Sequence, residues 1–160
     1  MKQLFESDHI SFVEVSELLV KDYLSMVNDN ENVNRFIGGK TKSITEEQEL
    51  AWVREKIEEK APIYSMIEKE SGKFIGNIEL MGMTDSEGEL GIAINGEMQN
   101  RGFGTEAVLA LLQYGFDHLG LNRIFLRTKT DNTRAIHVYE KCGFVEYDNT
   151  DSYISMEIFQ

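Results

Sequence analysis

One stretch limits what this chain can become more than any other. Glu89-Leu90-Gly91-Ile92-Ala93-Ile94-Asn95 alternates in polarity, Gly96-Glu97-Met98 connects, and Gln99-Asn100-Arg101-Gly102-Phe103-Gly104-Thr105-Glu106 opens into an apolar-periodic run to Leu119. A period of two demands a strand and recurrence at three and four demands a helix, so the chain passes from one to the other through a glycine-marked turn. A helix start presents unpaired N–H groups and the positive end of a dipole, and glycines at 102 and 104 let a phosphate come close to the backbone. The same two glycines also suit a tight turn that binds nothing.

The flanks decide what surrounds this unit. His9 to Val15 reads as a first strand, and Ser16 caps a helix to about Asn28 with Leu18, Leu19, Tyr23, Met26 and Val27 on its apolar side. Asn28 to Lys40, with adjacent Gly38 and Gly39, is a loop. Thr45-Glu46-Glu47-Gln48 is a capping box that starts a helix running to about Lys60, with Leu50, Val53 and Ile57 inward and an acidic outer face. Pro62 ends it, and Ile63–Ile67 and Lys73–Met83 form an antiparallel hairpin that continues through Asp85–Gly88 into the opening strand.

After the long helix, Gly120 stops the chain and Arg123–Thr128 makes another strand. Asp131-Asn132 caps a short helix ending at Gly143, and Phe144–Tyr147 and Tyr153–Phe159 close as strands. The expected fold is therefore mixed α/β (α+β). About seven strands form a mostly antiparallel sheet flanked by four helices, with one parallel crossover through the glycine-led helix. Residues 1–160 are expected to form a single domain.

Composition narrows the partners. A net charge of −12 opposes non-specific nucleic-acid binding and suits cationic partners, although acidic excess also serves solubility. The longest apolar runs are too short to span a bilayer and the first residues lack an apolar signal core, so a cytoplasmic protein without membrane contact is expected. The single cysteine, Cys142, forms no internal disulfide and reads as a buried packing residue. His9, His118 and His137 are too scattered to hold a metal.

Two segments carry a family resemblance. Gln99-Asn100-Arg101-Gly102-Phe103-Gly104 matches Q/R-x-x-G-x-G/A, and Asn132 through Phe144 matches N-x-x-A-x-x-x-Y-x-K-x-G-F. Both are signatures of the GNAT superfamily of acyl-CoA-dependent N-acyltransferases, which this chain resembles well from about Ile63 onward and in outline before that. It is most similar to the branch of ribosomal-protein N-terminal and spermidine acetyltransferases.

The resemblance implies acetyl-CoA as co-substrate. Gln99, Asn100, Arg101, Gly102, Phe103, Gly104 and Thr105 are the expected cofactor-binding loop, with the diphosphate at the N–H groups from Arg101 to Thr105 and the Arg101 side chain adding positive charge. The pantetheine arm is expected along Ile92, Ala93 and Ile94, where this family splays the strand from its neighbour, and against Asn132. Asn132 and Tyr139 lie seven residues apart, within ~20° of one line on a helix and ~10.5 Å along its axis. Tyr139, by resemblance, donates a proton to the departing thiolate.

The acceptor amine must lose a proton first, since an alkyl ammonium has a pKa of ~10.4. Glu89 and Glu79 resemble acidic positions of the spermidine enzymes and are the candidate carboxylates; each also suits a solvated strand position, and a water chain also does this work in the family. Glu46, Glu47, Glu49, Glu55, Glu58 and Glu59 either line a channel for a polycation or form a solvated surface, and the surface is the reading adopted. The expected reaction is direct acetyl transfer in a ternary complex to a polyamine such as spermidine or to a peptide N-terminus. A non-catalytic acyl-CoA sensor or scaffold is the alternative, and a homodimer is the form the resemblance implies. A nucleotide-phosphate enzyme would need a G-x-x-x-x-G-K-[ST] run, which the sequence lacks.

Overall fold

The computed structural model describes residues 1–36 and 43–160. Its strands are β1 (Gln3–Glu6), β2 (Ile10–Glu14), β3 (Ile63–Glu68), β4 (Phe74–Met81), β5 (Glu87–Ile94), β6 (Arg123–Lys129), β7 (Val145–Asn149) and β8 (Tyr153–Phe159). The helices are α1 (Val20–Val27), α2 (Glu46–Glu59), α3 (Phe103–Asp117) and α4 (Thr133–Lys141). All eight strands form one sheet in the order β1-β2-β3-β4-β5-β6-β8-β7, antiparallel throughout except for β5 beside β6.

Alternation along the strands sorts the core into two layers. Ile10, Phe12, Tyr64, Met66, Ile78, Leu80, Leu90, Ile124, Leu126 and Met156 pack with Val108, Leu111 and Tyr139 of α3 and α4 on one face. Val13, Ile63 and Phe74 pack with Tyr23, Met26 and Val53 of α1 and α2 on the other. The capping box is present: Gln48 N–H donates to Thr45 Oγ1 at 3.2 Å and Thr45 N–H donates to Gln48 Oε1 at 2.9 Å.

The structure departs from the sequence reading in several places. The sheet has eight strands rather than about seven, because Gln3–Glu6 pairs with β2 and Phe5 stacks between Phe12 and Tyr114 at 4.3 and 4.2 Å. Four residues have no alternation worth reading alone; partners distant in sequence make them a strand. Ser16 caps a 3-10 turn, Glu17–Leu19, before α1 begins, and this turn sends Leu18 into solvent. On α2, Val53 is buried and Leu50 half-buried as expected, but Ile57 is exposed, and Glu49, Trp52 and Lys56 share the inward side. In the expected loop, residues 28–36 include a 3-10 turn, Asn34–Phe36. Gly38, Gly39 and Lys40 lie outside the described residues.

Candidate active site

β5 and β6 pair over only three residues, Glu87–Glu89 against Arg123–Phe125. Past that point β5 keeps its ladder with β4 to Ile94 and β6 keeps its own with β8 to Lys129, so the two strands diverge like the prongs of a fork. From Leu90 to Ile94 the side of β5 that faces the fork has no strand beside it. Its peptide groups there need partners from another source.

A cleft of about 650 Å³ occupies the fork. Ile92, Ala93 and Ile94 line it, as do Gln99, Asn100, Gly102, Gly104 and Thr105 at the start of α3 and Asn132, Val138 and Tyr139 of α4. The helix start is reached through backbone that only small residues tolerate: Gly102, the residue before α3, has φ +87°. At Gly104 a Cβ would meet Ile94 and Val138 no closer than 3.4 Å, so protein packing alone does not demand glycine. What the missing side chain keeps clear is the cleft.

Three side chains in the glycine loop have partners within the protein. The Arg101 guanidinium donates to Glu68 Oε1 at 2.9 Å and lies over Phe103 at 5.0 Å, on the far side of the loop. The cause is Glu68, a buried carboxylate that needs a cation. Phe103 is itself buried in the core, and the Gln99 amide donates to Ile94 O at 2.9 Å and Asn32 O at 3.0 Å. The arginines that line the cleft are Arg134 and Arg127.

On α4, Asn132 accepts from Ala135 N–H at 3.4 Å as an N-cap, which holds it at the cleft wall two helical turns from Tyr139. Tyr139 is 6% exposed and packs edge-on to Phe144 at 5.8 Å. Burial, reinforced by the neighbouring Cys142 thiol, pushes its phenol above the ordinary range, so it stays protonated at neutral pH. Among the described residues none hydrogen-bonds its hydroxyl. Cys142 is buried and directs its thiol to Thr105 O at 3.7 Å.

The carboxylates divide. Glu79 lines the cleft from β4 with its carboxylate oxygen beside Gly91; a Cβ at 91 would lie 3.2 Å from it. Burial raises its pKa, Lys56 opposes that, and Glu89 adds to it. Glu89 shares this face but stands outside the cleft, because it forms the last β5–β6 pair, with Phe125, where the fork is still closed.

Sequence reasoning missed the rest of this wall of the cleft. Glu49, read as surface, is 5% exposed and lines the cleft with Trp52, Met26, Val33 and Asn34. Asn77 joins them at the end of a directed chain. Ser16 N–H donates to the Tyr23 hydroxyl at 3.2 Å, Tyr23 to Ser65 Oγ at 2.6 Å, and Ser65 to Asn77 Oδ1 at 2.8 Å. Because Oδ1 is taken, the amide N–H2 is the group Asn77 offers the cleft. The β3–β4 pair Ser65–Asn77 and the seating of Tyr23 of α1 against Ser65 join the chain, and no sequence signal marks it. Among the described residues no cluster of three or more His, Cys, Asp or Glu is placed to hold a metal ion, and no helix is long and apolar enough to cross a membrane.

A forked sheet, an amide-lined helix start and a phenol in the same cleft define an acyltransferase that takes its acyl group from a long, phosphate-bearing thioester. The acetyltransferase (GNAT) domain family matches residues 11–145, and the chain belongs to that family. It is an acetyl-CoA-dependent N-acetyltransferase, with acetyl-CoA as co-substrate. Spermidine N(1)-acetyltransferase of Vibrio cholerae is 30% identical over 78% of this chain and 72% of its own length. The Escherichia coli K12 enzyme of the same name is 28% identical over 90% of this chain, which spans only 60% of that relative. Among solved structures, a GNAT-family acetyltransferase from Bacillus anthracis superposes with a TM-score of 0.85 at 20% identity, covering 96% of both chains. The Vibrio cholerae spermidine N-acetyltransferase in complex with CoA and spermine does so with a TM-score of 0.85 at 22% identity, covering 96% of this chain and 97% of that one.

Proposed function

We propose that residues 1–160 act as one cytoplasmic unit that moves the acetyl group of acetyl-CoA to a primary amine of a small polyamine such as spermidine, by direct attack in a ternary complex. The observation that carries this reading is one cleft holding Tyr139 on its α4 side and the Glu79 and Glu49 carboxylates on its β4–α2 side. The similarity to spermidine acetyltransferases supports the choice of amine.

When bound, the co-substrate supplies an activated carbonyl with a thiolate leaving group. This chain's part is to bind, orient and move protons. The amides from Gly102 to Thr105 hold the diphosphate at the α3 N-terminus, and the open edge of Leu90–Ile94 pairs with the amides of the arm. Backbone N–H near Ile92 polarises the carbonyl. Glu79, made more basic by burial, draws the proton from the incoming ammonium, while the Asn77 amide N–H2 disfavours the cation beside it. The amine nitrogen bonds to the carbonyl carbon, the carbon–sulfur bond breaks, Tyr139 gives the departing sulfur its proton, and the proton shed by the new amide nitrogen returns through water to the Tyr139 oxygen, restoring the phenol. Glu89 acts through Glu79, whose pKa it raises.

The test is thiol release from acetyl-CoA with spermidine, spermine, amino acids, aminoglycosides and short peptides. Polyamines are expected to give the highest kcat/KM. A peptide N-terminus ahead of every polyamine overturns the choice of amine; tight acetyl-CoA binding without release to any amine makes the protein a sensor or scaffold. A homodimer belongs to the same proposal and is checked by sedimentation.

A further inference from the structure

The fork opens toward the carboxyl ends of β5 and β6, and residues 28–36 bridge that open end. Gln99 holds it from one prong: its Nε2 donates both to Ile94 O, the last residue of β5, and to Asn32 O. Lys129, the last residue of β6, holds it from the other, with Nζ donating to Arg35 O at 2.8 Å. Between these anchors the segment is internally braced. Asn32 N–H and Nδ2 donate to Asp29 Oδ1 at 3.1 and 3.2 Å, and Asn34 Nδ2 donates to Val27 O at 3.0 Å. It also rests directly on the end of β5, where a Cβ on Gly96 would lie 2.6 Å from Asp29 Oδ2. Asn32, Val33 and Asn34 face the cleft.

We propose that Gln99 and Lys129 are positioning residues for the amine substrate, clamping residues 28–36 across the open end of the fork so that acceptor binding depends on them and cofactor binding does not. This rests on the reading of the cleft as an acetyl-transfer site. The chemistry at Gln99 is one-sided: two carbonyl oxygens converge there, so the position takes a donor and rejects an acceptor. Arginine keeps donors in place, alanine leaves both carbonyls without them, and glutamate sets a negative charge against both.

The experiment compares the full-length wild type with Q99A, Q99R, Q99E and K129M. It measures KM for spermidine by thiol release, Kd for acetyl-CoA by calorimetry, and amide hydrogen exchange of residues 28–36. Q99A is expected to raise the spermidine KM about 5- to 30-fold while changing the acetyl-CoA Kd less than about 2-fold; Q99R returns KM to within about 3-fold of wild type, and Q99E exceeds Q99A. K129M raises KM by a smaller factor, about 2- to 5-fold, since it loses one exposed hydrogen bond. Exchange in residues 28–36 rises about 10-fold in Q99A. An acetyl-CoA Kd that worsens in step with KM, or a Q99E no worse than Q99A, overturns the proposal. If the wild type transfers to no amine, the activity reading fails while hydrogen exchange still decides the clamp: unchanged protection of residues 28–36 in both Q99A and K129M overturns it.

Discussion

The two sides of the cleft are built by opposite means. The side proposed for the cofactor consists of contiguous pieces, the strand β5, the glycine loop after it and one stripe of α4, and the contacts proposed there are largely backbone N–H groups. The side proposed for the acceptor draws Glu49 from α2, Asn77 and Glu79 from β4, and Asn32 to Asn34 from the segment before α2, and the contacts proposed there are side chains. A ligand held by backbone leaves a glycine and cap pattern in the sequence; one held by side chains leaves only scattered polar residues. The difference predicts that cofactor affinity and amine turnover respond to different substitutions.

Tyr139→Phe is the sharpest test of that separation. It keeps the ring against Phe144 and removes only the hydroxyl, so kcat is expected to fall about 10²- to 10⁴-fold with the acetyl-CoA Kd within about 3-fold of wild type. Thiol release and calorimetry measure the two numbers. Parallel losses in both would erase the distinction by making the phenol a binding group.

Gly104→Ala attacks the other side. Protein packing leaves room for the methyl, and alanine is the better helix former, so thermal stability holds or rises by up to roughly 0.5 kcal/mol. Acetyl-CoA affinity is nevertheless expected to fall about 10- to 100-fold, because the methyl occupies the space in front of the amides. Unchanged affinity would mean that this glycine shapes the turn and nothing more.

These cases show why the chain was unevenly legible. The strand, turn and helix from Glu89 to Leu119, the capping box at Thr45 and the Asn132–Tyr139 stripe are local patterns, and the structure has them where the sequence puts them. Strand β1 and the buried state of Glu49 depend on partners far along the chain, which periodicity does not report. The partner of Arg101 is hidden for a similar reason. The arginine's charge suits a diphosphate, but Glu68, 33 residues earlier, is buried and claims it. The Gln99 side chain belongs to a signature read as cofactor-binding, yet its partners are two backbone carbonyls of the protein.

Glu79→Gln probes the acceptor side with a smaller effect. Turnover at neutral pH is expected to drop about tenfold, chiefly in kcat/KM for the amine, since water can replace part of the carboxylate's role. Stability shifts the other way. A carboxyl whose folded pKa is raised favours the folded state most below its unfolded pKa, and loses that contribution as pH rises through the folded value. The glutamine variant is therefore the more stable protein at pH 7, by about 1–3 °C in Tm, and the gap closes as pH falls through the raised folded value toward about 4.5, Glu79's ordinary value. A gap that widens in acid would show that Glu79 is held ionised, and the base assigned to it would have to be sought elsewhere.

The smallest effect on turnover tests whether the acceptor side needs its buried wiring. Tyr23 is fully buried, and burial raises its pKa, so its hydroxyl remains the donor that commits Ser65 to Asn77. With Phe at 23, Ser65 Oγ loses its donor and Ser16 N–H its acceptor, and the Asn77 amide is free to turn over and offer oxygen to the cleft instead of N–H2. Stability is expected to fall by about 1–2 kcal/mol and the amine KM to change only about 2- to 4-fold, with the acetyl-CoA Kd untouched. Ser65→Ala, which cuts the same chain one bond nearer the cleft, should move KM by a similar factor. If Tyr23→Phe costs stability but Ser65→Ala leaves KM unmoved, Asn77 is oriented by its own strand neighbours, and the chain supports the fold without reaching the substrate.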